Sequence, residues 1–571
     1  MKSDVDEAEE GVTVGIADGG DPPRVTTAPR IARTLLHPLV SIVLTWPALA
    51  HLGSAIPRGT ETVSTVPLFN LWTLQWNVDR VGHLWSGYWN APIFEPDPGS
   101  FARSDPQPLT GLVAWSVSWL PGGTTTAYVL VLLLALTLNG VTAARVARRL
   151  GASATGAAVA GVVVQASPFV INELGVLQLT MLFGGFIAID GVLGLAMDGP
   201  SRRDGLLAGG GIAIAALTNG YLALAMGTVL GPIALVLLIR ARRDRAVVAF
   251  VIGALLPILF AAPFVLGQQA ATDDLSWAVE TVESNSAALA DLVQLDDQLQ
   301  GGRVLPWAQN DSGTPERLWP GALLVGLGLL GLVEARRRTA TRAAALILGI
   351  VALFGLIGSL GLSLDIAGFR PYALLRDYVP GWGRLRSPFR LVVLVTIALG
   401  PLVGLGFDRL ARTLRAPSHR RVGTAALVTV LVVGAWEVWP RQRPLVDVPD
   451  VATLDWVAFL DNVDDRDPIA HVPGAAPRGR TGDFEGTVVD MLATVEHGHP
   501  MISGYTGLFP DDRRIVREAL QPPIDDETID LLCARQVGWV VIEGDVVVDD
   551  ARLDRSLVGT ERDVYRLDCG A

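Results

Sequence analysis

Long uncharged apolar runs constrain this sequence more than any other feature. Several of them approach twenty residues, the length at which an α-helix crosses the hydrocarbon core of a bilayer, and only 18% of the 571 residues are charged. Soluble domains carry about a quarter charged residues. We therefore predict a polytopic α-helical membrane protein with about eleven spans, at residues 36–53, 127–147, 153–171, 176–197, 205–219, 221–240, 246–266, 319–334, 343–362, 390–409 and 422–439.

Arginines predict the orientation of these spans. Short loops rich in positive charge stay in the cytoplasm, and arginine clusters follow the second, fourth, sixth, eighth and tenth spans. The pattern predicts a disordered cytoplasmic tail at 1–33 and a transmembrane domain at 34–440. Its external loops are 54–126, 267–318 and 363–389, and the stretch 441–571 also lies outside. The span at 205–219 is the shortest and is also open to interpretation as a re-entrant segment.

Composition excludes several classes of function. The stretch 441–571 holds 26 acidic residues and 13 arginines, and the rest of the chain is close to neutral. Elsewhere the arginines lie at the ends of apolar runs rather than along one stripe, which excludes a nucleic-acid surface. A single lysine, Lys2, beside 44 arginines suggests a GC-rich bacterial genome, and hence the bacterial plasma membrane.

Motifs for soluble enzymes and cofactors are lacking. The sequence has no Gly-rich phosphate loop, no Cys-x-x-Cys, no His-x-x-x-His and no Gly-x-Ser-x-Gly at a strand-to-helix turn. We predict no cofactor, and a divalent metal only if folding brings separate loop carboxylates together. The pair His497 and His499 is interpreted as an exposed turn rather than a metal site.

The first external loop has an amphipathic stretch. Between Leu71 and Trp85 the apolar residues step by three and four, and polar residues occupy another face, as in a helix lying flat at the membrane interface. The loop also contains six of the fifteen tryptophans, so an aromatic belt at the headgroups is the alternative. The polar face consists of Asn70, Thr73, Asn77 and Arg80.

The stretch 441–571 is predicted to form an α/β domain, because strand and helix patterns alternate along it. We predict strands at 469–472, 501–504, 539–542 and 564–567, and helices at 487–496, 514–520 and 527–536. Its cysteines, Cys533 and Cys569, are the only two in the sequence. They either form a disulfide on an oxidising face or remain buried thiols, since sequence does not give pairing geometry.

Several segments resemble those of one class of membrane enzyme. The first is the run Thr45-Trp46-Pro47, followed by 67–77, 88–96 and 104–111 in the first external loop. The second is 379–390 before a late span, and the third comprises Ile502-Ser503-Gly504-Tyr505 and Leu508-Phe509-Pro510. Together they resemble bacterial integral membrane proteins of the GT-C glycosyltransferase class, over most of the chain.

The resemblance implies a GT-C-like fold and an enzyme that transfers sugar from a polyprenyl-phosphate-linked donor outside the cytoplasm. The expected partners are this lipid-linked donor, membrane lipid, and a glycan, lipid or protein acceptor. Two alternatives stay open: a non-catalytic binding or assembly factor for a lipid-linked saccharide, and a transporter. A transporter would predict internal repeats, and no clear repeat is found.

The resemblance also implies a catalytic base in the first external loop. Carried over to this sequence, the usual acidic position falls in 58–64, where Glu61 is the only carboxylate and relatives often have aspartates. A carboxylate there would accept the proton of the acceptor; otherwise Glu61 is a solvated loop charge. Asp105, between Ser104 and Pro106, is the second candidate.

Three arginines are candidates for binding the lipid phosphate. Arg384, Arg386 and Arg390 lie just outside the tenth span, on a face where arginines should be sparse. A guanidinium can bind phosphate oxygens through two hydrogen bonds, although contact with ordinary headgroups is the alternative.

Polar residues near external helix ends are candidates for a sugar pocket or, alternatively, plain turn and cap residues. They are Asn70, Asn172, Glu173, Gln178, Asn219 and Tyr221. Asp190, a carboxylate within the fourth span, is a functional-site candidate by its position or the partner of a nearby arginine.

Overall fold

The fold is given by a computed structural model. It describes residues 28–241, 244–273, 275–304, 317–414, 420–476, 479–544, 546 and 550–570. For residues 28–34 and 420 it describes the backbone alone. Most of the predicted amino-terminal tail lies outside the described residues. The first helix begins at Ala28, before the predicted start of the first span at 36.

Helices make up most of the described chain. In the first half they are α1 Ala28–Thr45, α2 Thr65–Gly82, α3 Pro108–Trp115, α4 Gly123–Arg149, α5 Ala154–Gln165, α6 Pro168–Asn172, α7 Phe183–Met197, α8 Arg202–Thr218, α9 Gly220–Ala241 and α10 Asp244–Ala271. In the second half they are α11 Val279–Ser284, α12 Gln300–Val304, α13 Ala322–Arg337, α14 Arg342–Ser359, α15 Pro371–Tyr378, α16 Val393–Leu414 and α17 Arg420–Glu437.

Each predicted span overlaps helical segments of this bundle, but α1 ends at Thr45, well before the predicted end of the first span at 53. Among the residues that the structure describes, seven helical segments are long and apolar enough to cross a membrane by length and composition, and the chain is a multi-pass membrane protein. The number eleven stays a prediction. Residues 205–218 of the shortest predicted span lie within α8, a continuous helix of 17 residues, and Asn219 caps its end.

Helix α16 is the centre of the bundle. All its residues from Val393 to Phe407 are buried, and it packs on α13 with the two backbones in direct contact. A Cβ on Gly331 would lie 1.9 Å from the carbonyl oxygen of Leu402, and one on Gly406 equally close to that of Leu327. Small residues permit such close helix crossings in membranes. By contrast, α10 exposes Leu259 and Phe260 on its outer face, as expected for contact with lipid.

Asp190 belongs to an ion-pair network at the opposite end of the bundle from the first external loop. Its carboxylate pairs with Arg145 at 2.6 Å and also with Arg149, whose guanidinium reaches Asp204 at 2.9 Å. From the sequence, Asp190 was either a functional-site residue or the partner of a nearby arginine, and the structure confirms the pairing with arginine. A buried carboxylate needs such partners because an unpaired charge is costly to desolvate.

The amphipathic interpretation of the first external loop is wrong. Helix α2 is packed between α3, α4 and the C-terminal region, and Asn70, Thr73 and Asn77 are all buried. Each of these side chains bonds a carbonyl one turn back in α2, so the polar face needs no water. Trp72 and Trp76 are likewise buried, whereas Trp115 and Trp119 are exposed. The aromatic belt is therefore limited to part of the tryptophans.

Strand β1, Ala55–Pro57, ties the first loop to the chain that follows the bundle. It pairs antiparallel with β2, Leu445–Asp447, a contact that the sequence did not predict. Farther along, the Phe94 amide donates to the Ser503 carbonyl at 3.1 Å. The first loop and the C-terminal region therefore lie together at one end of the bundle.

The C-terminal region contains a mixed sheet flanked by helices, and its existence as a separate domain stays a prediction. Its further elements are α18 Asp455–Asp461, β3 Ile469–Val472, α19 Glu485–His497, α20 Arg513–Ala519, α21 Asp526–Ala534, β4 Trp539–Glu543, β5 Leu553–Leu557 and β6 Arg562–Leu567. The strand order is β3-β4-β6-β5, with only β3 and β4 parallel. The sequence analysis did not predict strand β5. The strand predicted at 501–504 is not formed, and Met501 makes only isolated bridges.

The structure also shows the state of the two cysteines and of the two histidines predicted in this region. Cys533 and Cys569 form a disulfide, which decides between the two alternatives left open by the sequence. The exposed turn predicted at His497 and His499 is wrong, because both rings are fully buried. The Nδ1 atom of His499 lies 2.9 Å from the Asp467 carbonyl and Nε2 lies 3.1 Å from that of Leu460, so a backbone carbonyl accepts from the ring N–H in either tautomer.

Candidate active site

A polar cavity of about 450 Å³ lies where the external loops, the bundle and the C-terminal region meet. This volume falls within the range of about 300–1,000 Å³ typical of small-molecule sites. Three carboxylates and three guanidiniums line it, together with amides, hydroxyls and aromatic rings. The charged and amide groups are Glu61, Asn172, Glu173, Asn285, Asp296, Arg317, Arg386 and Arg390.

Glu61 is held at the cavity by close packing of its loop on the end of α6. The amide of Thr60 donates to the Asn172 carbonyl at 3.0 Å, and the Thr60 hydroxyl donates to the same oxygen at 3.2 Å. Gly59, with a φ of +63°, sits so close that a Cβ there would lie 2.4 Å from this carbonyl oxygen. The backbone contact therefore fixes Glu61 beside Glu173 on one wall.

We expect Gly59→Ala to destabilise the protein by about 2 kcal/mol, because the new Cβ combines left-handed strain with a clash against backbone. The measurement is thermal unfolding of the purified protein in detergent. Gly123→Ala is the matched control, since Gly123 has a φ of +55° and a Cβ added there would meet nothing within 4 Å. Equal losses in both variants would show that the contact with Asn172 does not hold this loop.

Arg386 and Arg390 approach the cavity from the segment before α16. The Tyr221 hydroxyl accepts from the Arg386 amide at 2.9 Å and from the Ser387 amide at 3.3 Å, which fixes the backbone there. The Arg386 guanidinium lies 5.5 Å from the Trp277 ring centroid, and that of Arg390 lies equally far from the Tyr221 ring. Aromatic faces thus hold both cations in place.

These charges set the protonation of the loop carboxylates. Burial raises the pKa of Glu61, and the nearby Arg390 and Arg386 oppose the rise. Burial also raises the pKa of Asp296, with Arg317 among the groups that lower it. A half-buried carboxylate with a raised pKa is a stronger base than an ordinary carboxylate and is therefore better suited to accept a proton.

The structure brings five of the predicted site residues together at this cavity: Glu61, Asn172, Glu173, Arg386 and Arg390. Arg384 does not line it and instead lies 3.6 Å from Asp273. Asp105 also lies outside the lining, with its carboxylate accepting from the Gly220 amide at 3.1 Å. Burial raises the pKa of Asp105 to about 6, although the hydrogen bond from the Gly220 amide and the charge of Arg390 both act to lower it.

Four predicted sugar-binding residues, Asn70, Gln178, Asn219 and Tyr221, do not line this cavity. Asn70 bonds the Val66 carbonyl within its own helix at 2.9 Å. Asn219 donates to the Gln178 carbonyl at 2.9 Å and caps α9 through the Leu222 amide. The Gln178 side chain accepts from Gln107, and the Tyr221 hydroxyl supports the arginine segment.

Several lining residues were missed by the sequence. Arg317 lies just before the predicted span at 319–334, on the face where arginines are sparse, so the argument that singled out Arg386 applied to it equally. Its guanidinium donates to the Gln294 side chain at 3.0 Å. Asn285, Asp296 and Thr481 carried no such signal, because only the fold brings their segments to the cavity.

Metal ligation was left open by the sequence. Within the part of the chain that the structure describes, no group of three His, Cys, Asp or Glu side chains is placed to hold a metal ion.

Comparison with known proteins gives a family and a fold. The family model described as a domain of unknown function, DUF6311, matches residues 82–438. No curated protein matches the chain. Among solved structures, the arabinofuranosyltransferase AftD from Mycobacteria is similar over 96% of this chain and 42% of its own, with a TM-score of 0.56 and 14% identity.

The oligosaccharyltransferase AglB from Archaeoglobus fulgidus is similar in two structures. The complex with an inhibitory peptide and a dolichol-phosphate matches with a TM-score of 0.47 and 9% identity, over 90% of this chain and 69% of its own. The apo form matches with a TM-score of 0.48 and 10% identity, over the same shares. The similarity to AftD shows the GT-C-like fold that the sequence predicted, and this chain spans less than half of that protein.

Proposed function

The chain belongs to the family of the domain of unknown function DUF6311, and we propose that it is a membrane glycosyltransferase. It transfers a sugar from a polyprenyl-phosphate-linked donor to an acceptor outside the cytoplasm. The observation that carries this proposal is the cavity that joins Glu61 to Arg386 and Arg390. These residues are more than 300 positions apart in the sequence, yet the fold brings one carboxylate and two guanidiniums to the same cavity.

The proposed reaction is an inverting displacement at the anomeric carbon. Glu61 accepts the proton of the acceptor hydroxyl while the hydroxyl oxygen forms the bond to the anomeric carbon. The bond from that carbon to the phosphate oxygen breaks, and its electron pair leaves with the lipid phosphate. The phosphate then gains one negative charge, which Arg386 and Arg390 stabilise because they are already in place.

The proposed orientation follows the arginine distribution. The amino terminus is in the cytoplasm, and the cavity and the C-terminal region face outward from a bacterial plasma membrane. The contacts of the first loop with the C-terminal region support a shared side for both. Asn172, Asn285 and Thr481 are then placed to donate or accept hydrogen bonds with the sugar.

The test is transfer of radiolabelled sugar from polyprenyl-phosphate donors by the purified full-length protein in lipid nanodiscs. We expect turnover by the wild type with at least one donor. If no donor turns over while lipid phosphate binds through Arg386, the protein is a non-catalytic binding factor and the enzyme proposal is wrong.

We expect the acid limb of the transfer rate to lie above the pKa of an ordinary glutamate. Burial raises the pKa of Glu61, and only its carboxylate form accepts a proton. The rate therefore rises with pH through this raised pKa and is lost as the pH falls through it. Arg386→Gln removes a charge that lowers this pKa, so the limb should move to higher pH. Profiles of kcat/KM for both proteins test this, and coincident limbs would contradict it.

A further inference from the structure

The cavity that holds Glu61 has a further wall, to which the proposed reaction gives no role. The base lies on one wall, and the two arginines assigned to the phosphate approach from another. The further wall comes from the chain on either side of α12, since Asp296 precedes that helix and Arg317 and Trp319 follow it. All three residues line the same space of about 450 Å³. A sugar ring that reacts in this cavity therefore has this wall within its surroundings.

Trp319 is fixed at this wall through both its side chain and its backbone. The indole N–H donates to the Glu437 carboxylate at 2.7 Å, and the Trp319 amide donates to the Gln294 carbonyl at 2.8 Å. Glu437 is itself buried, and it also accepts from the Ala322 amide at the start of α13 at 2.8 Å. A ring held in this way offers a flat apolar surface to a ligand, and little side-chain entropy is left to lose on binding.

Asp296 adds a carboxylate to the same wall. Its Oδ1 accepts from the Gln298 amide at 2.8 Å, which orients the side chain. An ionised carboxylate has about four lone-pair sites, and its hydrogen bonds with hydroxyls are strengthened by its charge. The wall thus combines the two contacts that suit a sugar ring, an apolar surface for its C–H groups and an acceptor for its hydroxyls.

The charge of this wall opposes an acidic sugar. Burial raises the pKa of Asp296, and the exposed carboxylate of Asp297 next to it adds to the rise. Arg317 acts in the opposite direction, and its guanidinium donates to the Gln294 side chain at 3.0 Å. The described residues of this wall and its rim therefore carry two carboxylates and one guanidinium. A carboxylate on the sugar would meet like charge there, which is costly.

We infer that this wall binds the sugar ring transferred in the proposed reaction, and that this ring is neutral. The inference rests on the proposed transferase function and specifies its donor. Asp296 accepts hydrogen bonds from the ring hydroxyls, and Trp319 packs on the apolar face of the ring. Asp296 is then a specificity-determining residue and takes no part in proton transfer. A donor without a sugar makes neither contact, and a donor with a uronic acid brings a second negative charge to Asp296.

The test is binding of polyprenyl-phosphate probes to the full-length protein in nanodiscs without acceptor. The probes are bare polyprenyl phosphate and its glucose, mannose, xylose and glucuronic acid derivatives. We expect at least one neutral probe to bind roughly tenfold more tightly than the bare lipid, the gain typical of one charge-assisted hydrogen bond. The glucuronic acid probe should bind no more tightly than the bare lipid. Asp296→Asn should abolish the gain and leave the affinity for bare polyprenyl phosphate unchanged.

Asp297→Asn is the matched control, because it removes the same charge one residue away from an exposed side chain that does not line the cavity. Thermal unfolding reports whether both variants fold, and the comparison of probes on the wild type needs no variant. Three outcomes overturn the inference. They are a neutral ring that adds no affinity, a gain that both variants keep or both lose, and a glucuronic acid probe that binds as tightly as the best neutral one.

The proposed function is judged separately by sugar transfer. A gain that depends on Asp296 without any transfer keeps the sugar site and rejects the transferase. Transfer with a donor KM that Asp296→Asn does not change keeps the transferase and rejects the sugar site at this wall.

Discussion

Glu61→Gln should reduce sugar transfer by about 10²–10⁴-fold, the contribution typical of a positioned general base. Glutamine keeps the size and the hydrogen-bonding oxygen of the side chain, so the loop packed against Asn172 should retain its conformation. What it loses is the ability to take a proton from the acceptor. We therefore expect kcat to fall while the Kd for the polyprenyl-phosphate donor changes by less than about twofold.

Two further variants serve as the control for the substitution and as the test of the second candidate carboxylate. Glu280→Gln is the control for the substitution itself, since Glu280 lies exposed on α11 and does not line the cavity. Asp105→Asn tests the other candidate carboxylate, whose oxygen is occupied by the Gly220 amide. If Asp105→Asn abolishes transfer while Glu61→Gln remains active, the base is wrongly assigned.

The arrangement of the bundle was largely predictable from the sequence. Apolar length fixes where helices can cross a bilayer, and each predicted span overlaps helical segments. The bounds differ at α1, which ends at Thr45 instead of 53, and where polar residues extend a helix beyond the apolar run. Helix α10, for example, continues past the predicted end at 266 to Ala271 through Gln268 and Gln269.

Periodicity failed at α2 for a physical reason. A polar face normally indicates contact with water or headgroups, but short polar side chains can also bond their own helix backbone. The side chains of Asn70 and Thr73 do so, at 2.9 Å each, and they remain buried where α2 packs against α3, α4 and the C-terminal region. Sequence periodicity cannot distinguish these two ways of satisfying a polar group.

The site was predictable only as separate parts. The charge rule singled out Arg386 and Arg390, and the family resemblance pointed to Glu61. That these parts share one cavity depends on tertiary contacts such as the approach of Gly59 to Asn172, which leaves no periodic signal. Amide residues at helix ends look alike in sequence whether they line the candidate cavity, as Asn172 does, or cap a helix, as Asn219 does.

Arg386→Gln should weaken binding of the polyprenyl-phosphate donor by roughly 10–100-fold. Hydrogen bonds between charged partners contribute about 1.5–3 kcal/mol each, and every 1.4 kcal/mol corresponds to a factor of about ten in Kd. Glutamine cannot supply the paired donors or the charge of the guanidinium. The difference in Kd between wild type and Arg386→Gln should shrink at high ionic strength. Salt screens the charge–charge contact that only the wild type makes.

The measurement is donor affinity of the purified protein in nanodiscs, with Arg384→Gln as the matched control. Arg384 lies two residues away, near Asp273 and outside the cavity, so its loss should change the Kd by less than about threefold. Arg386→Lys keeps the charge but not the planar pair of donors, and it should fall between wild type and Arg386→Gln. Equal losses for Arg384 and Arg386 would instead indicate general attraction to anionic headgroups, because a contact specific to the cavity requires a residue that lines it.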